Sequence, residues 1–101
     1  MTAFNVVRFR VKPGAAAEFV EAHRKADPKL TGGRRFNIVD AGNDRFFIIG
    51  EWDSMESLAA ARAEMISMLD SFRHVLEDLG GELGVTDPIS GTSVLELKPR
   101  G

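Results

Sequence analysis

Between Phe4 and Val11 the chain alternates with a period of two, placing Asn5, Val7, Phe9 and Val11 on one face and Val6, Arg8 and Arg10 on the other. This predicts a first strand, which Lys12-Pro13-Gly14 stops. From Ala15 to Asp27 the spacing changes: Ala16, Phe19, Val20, His23 and Ala26 recur at three and four residues, the stripe of an amphipathic helix. Asp27-Pro28 ends that helix, because a residue before proline is pushed out of the helical region. Arg34 to Asp40 alternate again, with Phe36 and Ile38 opposite Arg35, Asn37 and Val39. Ala41-Gly42-Asn43-Asp44 is a tight-turn signal and Arg45 to Trp52 reads as a third strand, so these two strands form an antiparallel hairpin. Phe46 and Ile48 point one way and Phe47 and Ile49 the other, which requires cover on both faces of the sheet.

A second helical region starts at Asp53, an N-cap candidate with Glu56 three residues later closing a capping box. It extends to Leu79 with a break between Ala61 and Ile66, carries an apolar arc through Ile66, Leu69, Phe72, Leu76 and Leu79, and stops at Gly80-Gly81. Glu82 to Gly91, punctuated by Gly84, Asp87-Pro88 and Gly91, reads as a loop. Thr92 to Lys98 reads as a fourth strand with Leu95 and Leu97 on one face. The order β-α-β-β-α-β predicts the split-βαβ, ferredoxin-like α+β fold. Right-handed crossovers then place both helices on one face of a four-stranded antiparallel sheet and leave the other bare. That bare face mixes apolar and charged residues, so a homodimer packed through the sheet face is expected.

Composition narrows the function classes. The 101 residues suffice for one domain spanning 1–101, with 44% hydrophobic and 28% charged residues, the profile of a folded globular chain. A net charge of −2 and a pI near 5.6 provide no field for nucleic acid or an anionic membrane. The absence of cysteine removes disulfides, thiolate nucleophiles and zinc-thiolate sites. Met1 leads directly into an alternating segment, with no signal-peptide pattern and no apolar run of membrane-spanning length, so a cytoplasmic protein is expected.

Candidate chemistry is sparse. His23 lies near the centre of the first helix's apolar arc, which aims it at the sheet. It reads either as a core histidine satisfied by one hydrogen bond or as a base or ligand in a pocket between helices and sheet. His74 lies about 160° from the arc of the second helix and reads as a surface residue. The two histidines are not at metal-ligand spacing, and neither a metal nor a cofactor is expected. Asn5 shares the Val7 and Phe9 face, toward the helices, and needs a partner if buried; it reads either as a substrate-binding residue or as a cap on the sheet's edge. Trp52, at the end of a strand, either walls a pocket or anchors a helix to the sheet. Arg8, Arg10 and Arg35, set against Glu51 and Glu96, read as an interfacial charge network or as a cradle for an anionic ligand. Met55, Met65 and Met68 suit a flexible pocket lining or ordinary core filling. Gly80-Gly81-Glu82-Leu83-Gly84 follows a helix, not a strand, and is no phosphate loop. No hydrolase triad, paired-carboxylate motif or kinase signature is present, and tyrosine is absent.

The run Phe9-Arg10-Val11-Lys12-Pro13-Gly14 leading into Glu18-Phe19, with Ile49-Gly50-Glu51-Trp52-Asp53-Ser54 leading into Leu58, resembles the antibiotic biosynthesis monooxygenase-type branch of the dimeric α+β barrel superfamily. The resemblance covers most of residues 4 to 79 and implies a homodimer that binds a small apolar or aromatic molecule. It also implies a cofactor-independent monooxygenase acting on a quinol-like substrate, or a non-catalytic binding or assembly protein, since fold does not carry chemistry with it. Trp52 matches the structural Trp that ends the third strand in this group. Haem-degrading members use an Asn on the first strand and a Trp and a His on the second helix. Aligned on the Lys-Pro-Gly turn, that Asn position falls at Val7 and that Trp position near Ala61, so Asn5, Trp52 and His74 do not reproduce the set.

Overall fold

The structure is a computed structural model that describes every residue except Asp27. The elements are β1 (Ala3–Arg10), α1 (Ala16–Lys25), β2 (Gly33–Gly42), β3 (Arg45–Trp52), α2 (Met55–Ala60), α3 (Arg62–Asp70) and β4 (Asp87–Thr92), with a 3₁₀ turn at Arg73–Val75. The strands form one antiparallel sheet in the order β2-β3-β1-β4, the ferredoxin-like arrangement expected from the alternation. Asn43 and Asp44 both adopt left-handed backbone angles, φ 56° and 61°, which suits the hairpin turn between β2 and β3.

On the helix-side face the apolar residues separate into two buried groups. One holds Phe9, Val11, Phe19, Phe46, Phe72, Val75 and Leu76; the other holds Ala3, Trp52, Leu58 and Ala61. Between them Val7, Ile48 and Ile38, in register across β1, β3 and β2, are only half-buried. The helices therefore cover the two ends of this face more completely than its middle.

Three expectations need correction. The fourth strand is Asp87–Thr92, not Thr92 to Lys98. Thr92 already pairs with Ala3 at the start of β1, so the alternating run beyond it has no strand of its own chain to pair with. Pro88 is tolerated because β4 is an edge strand. The second helical region ends at Asp70 instead of Leu79. Lys12 N–H donates to the Val75 carbonyl at 2.8 Å and Glu77 N–H to the Arg10 carbonyl at 2.8 Å, so the chain leaves the helix to bind the end of β1. Phe72, Val75 and Leu76 are buried by this detour, while Ile66, on the expected apolar arc, is 52% exposed. The cap of α2 is Ser54, whose hydroxyl accepts from Ser57 N–H at 3.1 Å; Asp53 pairs with Arg34. The expected break falls at Ala61, between α2 and α3. The Asp27-Pro28 stop of α1 involves Asp27, outside the described residues.

The opposite face of the sheet carries Phe4, Val6, Phe47, Ile49, Val39 and Ile89 with no covering element. Beyond it the chain ends in Val94, Leu95 and Leu97, exposed by 90%, 71% and 77%. Arg8 pairs with Asp87 at 3.0 Å and Arg34 reaches Glu51 at 3.9 Å, so of the expected network Arg8 and Glu51 are paired, but with Asp87 and Arg34 and not with each other's group.

Candidate functional site

His23 is held by α1 over the phenylalanine cluster. Its ring lies 4.7 Å from Phe19 and 4.2 Å from Phe72, and Phe9 and Phe46 pack beneath Phe19. Nδ1 lies 2.8 Å from the Phe19 carbonyl, which only accepts, so Nδ1 carries the proton. In the neutral ring the lone pair is then on Nε2. Nε2 is the one buried side-chain nitrogen or oxygen among the described residues without a hydrogen-bond partner. Burial holds the His23 pKa below the ordinary histidine value, opposed in part by the bond to Phe19. The imidazole is thus neutral at physiological pH, in the tautomer that can accept a proton.

Asn5 and Trp52 meet at the other end of the same face. Trp52 Nε1–H donates to Asn5 Oδ1 at 2.7 Å, in a buried contact facing Gly50, the cross-strand neighbour of Asn5. Phe36 packs edge-on against Trp52 at 5.3 Å. A Cβ on Gly50 would overlap Asn5 Oδ1 and come within 3.0 Å of Trp52 Nε1, so glycine is what admits this bond. β1 lies between β3 and β4, which places Asn5 inside the sheet and not at its edge.

His74 is exposed, with Nε2 2.6 Å from Glu18 Oε2. It is therefore apart from the Asn5–Trp52 pair, and the three residues form no common site. Among the described residues no group of three His, Asp or Glu side chains is placed to hold a metal ion. Met65 and Met68 pack against the two apolar groups and Met55 faces outward. A groove of about 420 Å³ opens between α1 and α3, bounded by Ala22, Lys25, Ala26, Glu64, Ser67 and Met68. It adjoins the His23–Phe72 stack through chain neighbours, since Ala22 precedes His23 and Ser71, also on its wall, precedes Phe72. Sequence reasoning missed Phe72 as the residue against His23, because a helical arc assigned it to generic core. It also missed Ser90, which the loop assignment hid but which sits beside Asn5 on β4.

A four-stranded antiparallel sheet with helices on one face defines a ferredoxin-like α+β protein. The profile of the antibiotic biosynthesis monooxygenase family matches residues 2–77, and the chain belongs to that family. Similar solved structures include an antibiotic biosynthesis monooxygenase-like protein from Chloroflexus aurantiacus, at 14% identity and TM-score 0.72, covering 97% of this chain and 98% of that one. A point variant of SnoaB, a cofactor-independent oxygenase from Streptomyces nogalater, is similar at 18% identity and TM-score 0.73, again covering 97% and 98%. A point variant of MhuD, crystallised with two manganese protoporphyrin IX molecules per active site, is similar at 19% identity and TM-score 0.68, covering 96% of this chain and 99% of that one. No curated protein matches the sequence. No helix among the described residues is long and apolar enough to cross a membrane.

Proposed function

We propose that this protein is a homodimeric, cytoplasmic, cofactor-independent monooxygenase for a small aromatic or quinol-like substrate, with His23 as the proton acceptor. The observation that carries this reading is the His23 ring itself: Nδ1–H is committed to Phe19, and Nε2 is neutral, desolvated and unpartnered. A substrate lying on Val7, Ile48 and Ile38 enters from the α1–α3 groove and displaces Phe72 from the imidazole. Asn5 and Trp52 bound the far end of that floor.

His23 Nε2 removes an acidic hydroxyl or ring proton, and the electron-rich anion transfers electrons to dioxygen. A carbon–oxygen bond forms, the hydroperoxide takes up the proton, and loss of water leaves a carbonyl. A ring CH2 and O2 thus become C=O and H2O, with the substrate supplying all four electrons. Oxygen uptake with a panel of hydroquinones tests the reading. Uptake by the wild type that falls at least a hundredfold in His23→Gln supports it, since general-base catalysis contributes about 10²–10⁴-fold; equal uptake in both proteins removes His23 from the role.

A second reading, a non-catalytic homodimer that binds a small molecule, is favoured by Phe72 lying 4.2 Å from the His23 ring, which closes the space a substrate would need. Saturable binding of the same hydroquinones without oxygen uptake would select it. Both readings use the uncovered sheet face and the exposed Val94, Leu95 and Leu97 as the dimer contact. Light scattering at micromolar concentration should give twice the 11.1 kDa chain mass, and a monomer mass would refute the pairing.

A further inference from the structure

The first helix is held to the rest of the chain in an unusual way. Of the α1 side chains only Phe19 is fully buried, with Ala16, Val20, Ala22 and His23 half-buried around it. Among the described residues no backbone hydrogen bond leaves Ala16–Lys25 for another element, and the Arg24–Glu21 pair lies within the helix. The one polar side-chain contact from α1 to another element is made by Glu18, whose carboxylate Oε2 accepts from His74 Nε2–H at 2.6 Å. Just before the helix, Gly14 adopts a left-handed φ of 81° with open space around it.

The turn that carries His74 is anchored elsewhere. Its backbone is tied to the end of β1 through Lys12 N–H to the Val75 carbonyl and Glu77 N–H to the Arg10 carbonyl. Phe72, two residues before His74, is buried against Phe9, Phe19 and the His23 ring. Glu18 and His23 lie about 7.5 Å apart along the helix axis, so the turn runs beside α1 and touches it twice, once through an exposed ion pair and once through stacked rings.

We propose that Glu18 and His74 form a clasp that holds α1 against this turn and keeps Phe72 closed over His23, and that its release lets α1 swing about Gly14 and uncover Nε2. Glu18 and His74 are then positioning residues, and Phe72 is the face of the gate. The inference rests on the entry past Phe72 proposed above but needs no chemistry at His23. Both partners are solvent-exposed, so the clasp is weak enough for a molecule in the adjoining α1–α3 groove to open.

Diethyl pyrocarbonate acylates a neutral imidazole nitrogen that it can reach, so its rate at His23 near neutral pH, followed by peptide mass mapping, reads how often the gate opens. In the wild type His23 should react far more slowly than the exposed His74. Glu18→Ala and His74→Ala should each speed His23 modification about two- to fivefold, the range open to an exposed ion pair. The double variant should be no faster than either single one, since one contact is lost in all three. Two controls separate the clasp from general loosening: Arg24→Ala removes an exposed ion pair within α1, and Ser54→Ala removes the α2 cap. Both should leave the His23 rate at the wild-type value. Equal rates at His23 and His74 in the wild type, an unchanged His23 rate in both single variants, a multiplied rise in the double variant or an equal rise in either control overturns the clasp. None of these rates involves oxygen, so failure of oxygen uptake removes the proposed oxygenase activity and leaves the clasp to be decided by the modification rates.

Discussion

Replacing Gly50 with alanine tests the packing that brings Asn5 and Trp52 together. The added methyl would occupy the space of Asn5 Oδ1 and sit 3.0 Å from Trp52 Nε1 and 3.1 Å from the Phe36 ring. Overpacking of this kind costs about 1–3 kcal/mol. Displacing Asn5 also leaves a buried indole N–H and a buried carbonyl oxygen unpaired, about 1–3 kcal/mol more. The sum, about 2–6 kcal/mol, is a large part of the stability of a domain this size. It corresponds to a fall in melting temperature of about 10–30 °C. Gly91→Ala is the matched control, since a Cβ there meets nothing within 4 Å. It should change stability by about 0.5 kcal/mol or less. Urea denaturation of both variants, with Gly50→Ala repeated in an Asn5→Ala background, separates collision with Asn5 from general intolerance of the site. If the clash with Asn5 is the cause, the Gly50→Ala cost drops by at least about 1 kcal/mol in that background. A Gly50→Ala melting temperature within about 3 °C of the wild type would refute the reasoning.

The depressed pKa of His23 makes stability depend on pH. As pH falls below the ordinary histidine value of 6.5, the unfolded chain takes up a proton that the folded chain resists, so stability falls from there through the lowered folded-state pKa. Urea midpoints measured between pH 5 and pH 8 should show this slope and lose it in His23→Gln. Phe72→Ala should cost about 3–5 kcal/mol because the ring is buried. Ile66→Ala, on the same expected helical arc but exposed, should cost about 0.5 kcal/mol or less by chemical denaturation. Ser54→Ala should remove about 1 kcal/mol through loss of the α2 cap. Asp53→Ala should change the same measurement less, since its partner Arg34 is solvent-exposed.

The fold was legible because its main signals are local. Alternation in Phe4 to Val11 and Arg45 to Trp52, the Asn43-Asp44 turn and the spacing around Phe19 each specify an element without reference to distant partners. Where tertiary pairing decides, local reading failed. The Thr92 to Lys98 run has a better strand pattern than Asp87–Thr92, yet only the latter lies opposite β1. Phe72 and Leu76 stand at helical spacing, yet backbone bonds from Lys12 and to Arg10 at the end of β1 take the chain out of the helix.

The candidate site divides the same way. His23 could be placed on an inward arc from spacing alone, but its committed Nδ1 and unpartnered Nε2 depend on the Phe19 carbonyl and on Phe72, which arrives from elsewhere in the chain. Asn5 and Trp52 were each identifiable as polar-tipped residues needing partners, whereas their mutual bond follows from strand register. Ala3 pairs with Trp52 and Asn5 with Gly50, so the indole reaches back along β3 across the one position without a side chain. A single-residue slip would turn Asn5 to the other face and break the bond. The register that builds the core thus also builds the buried Asn5–Trp52 bond.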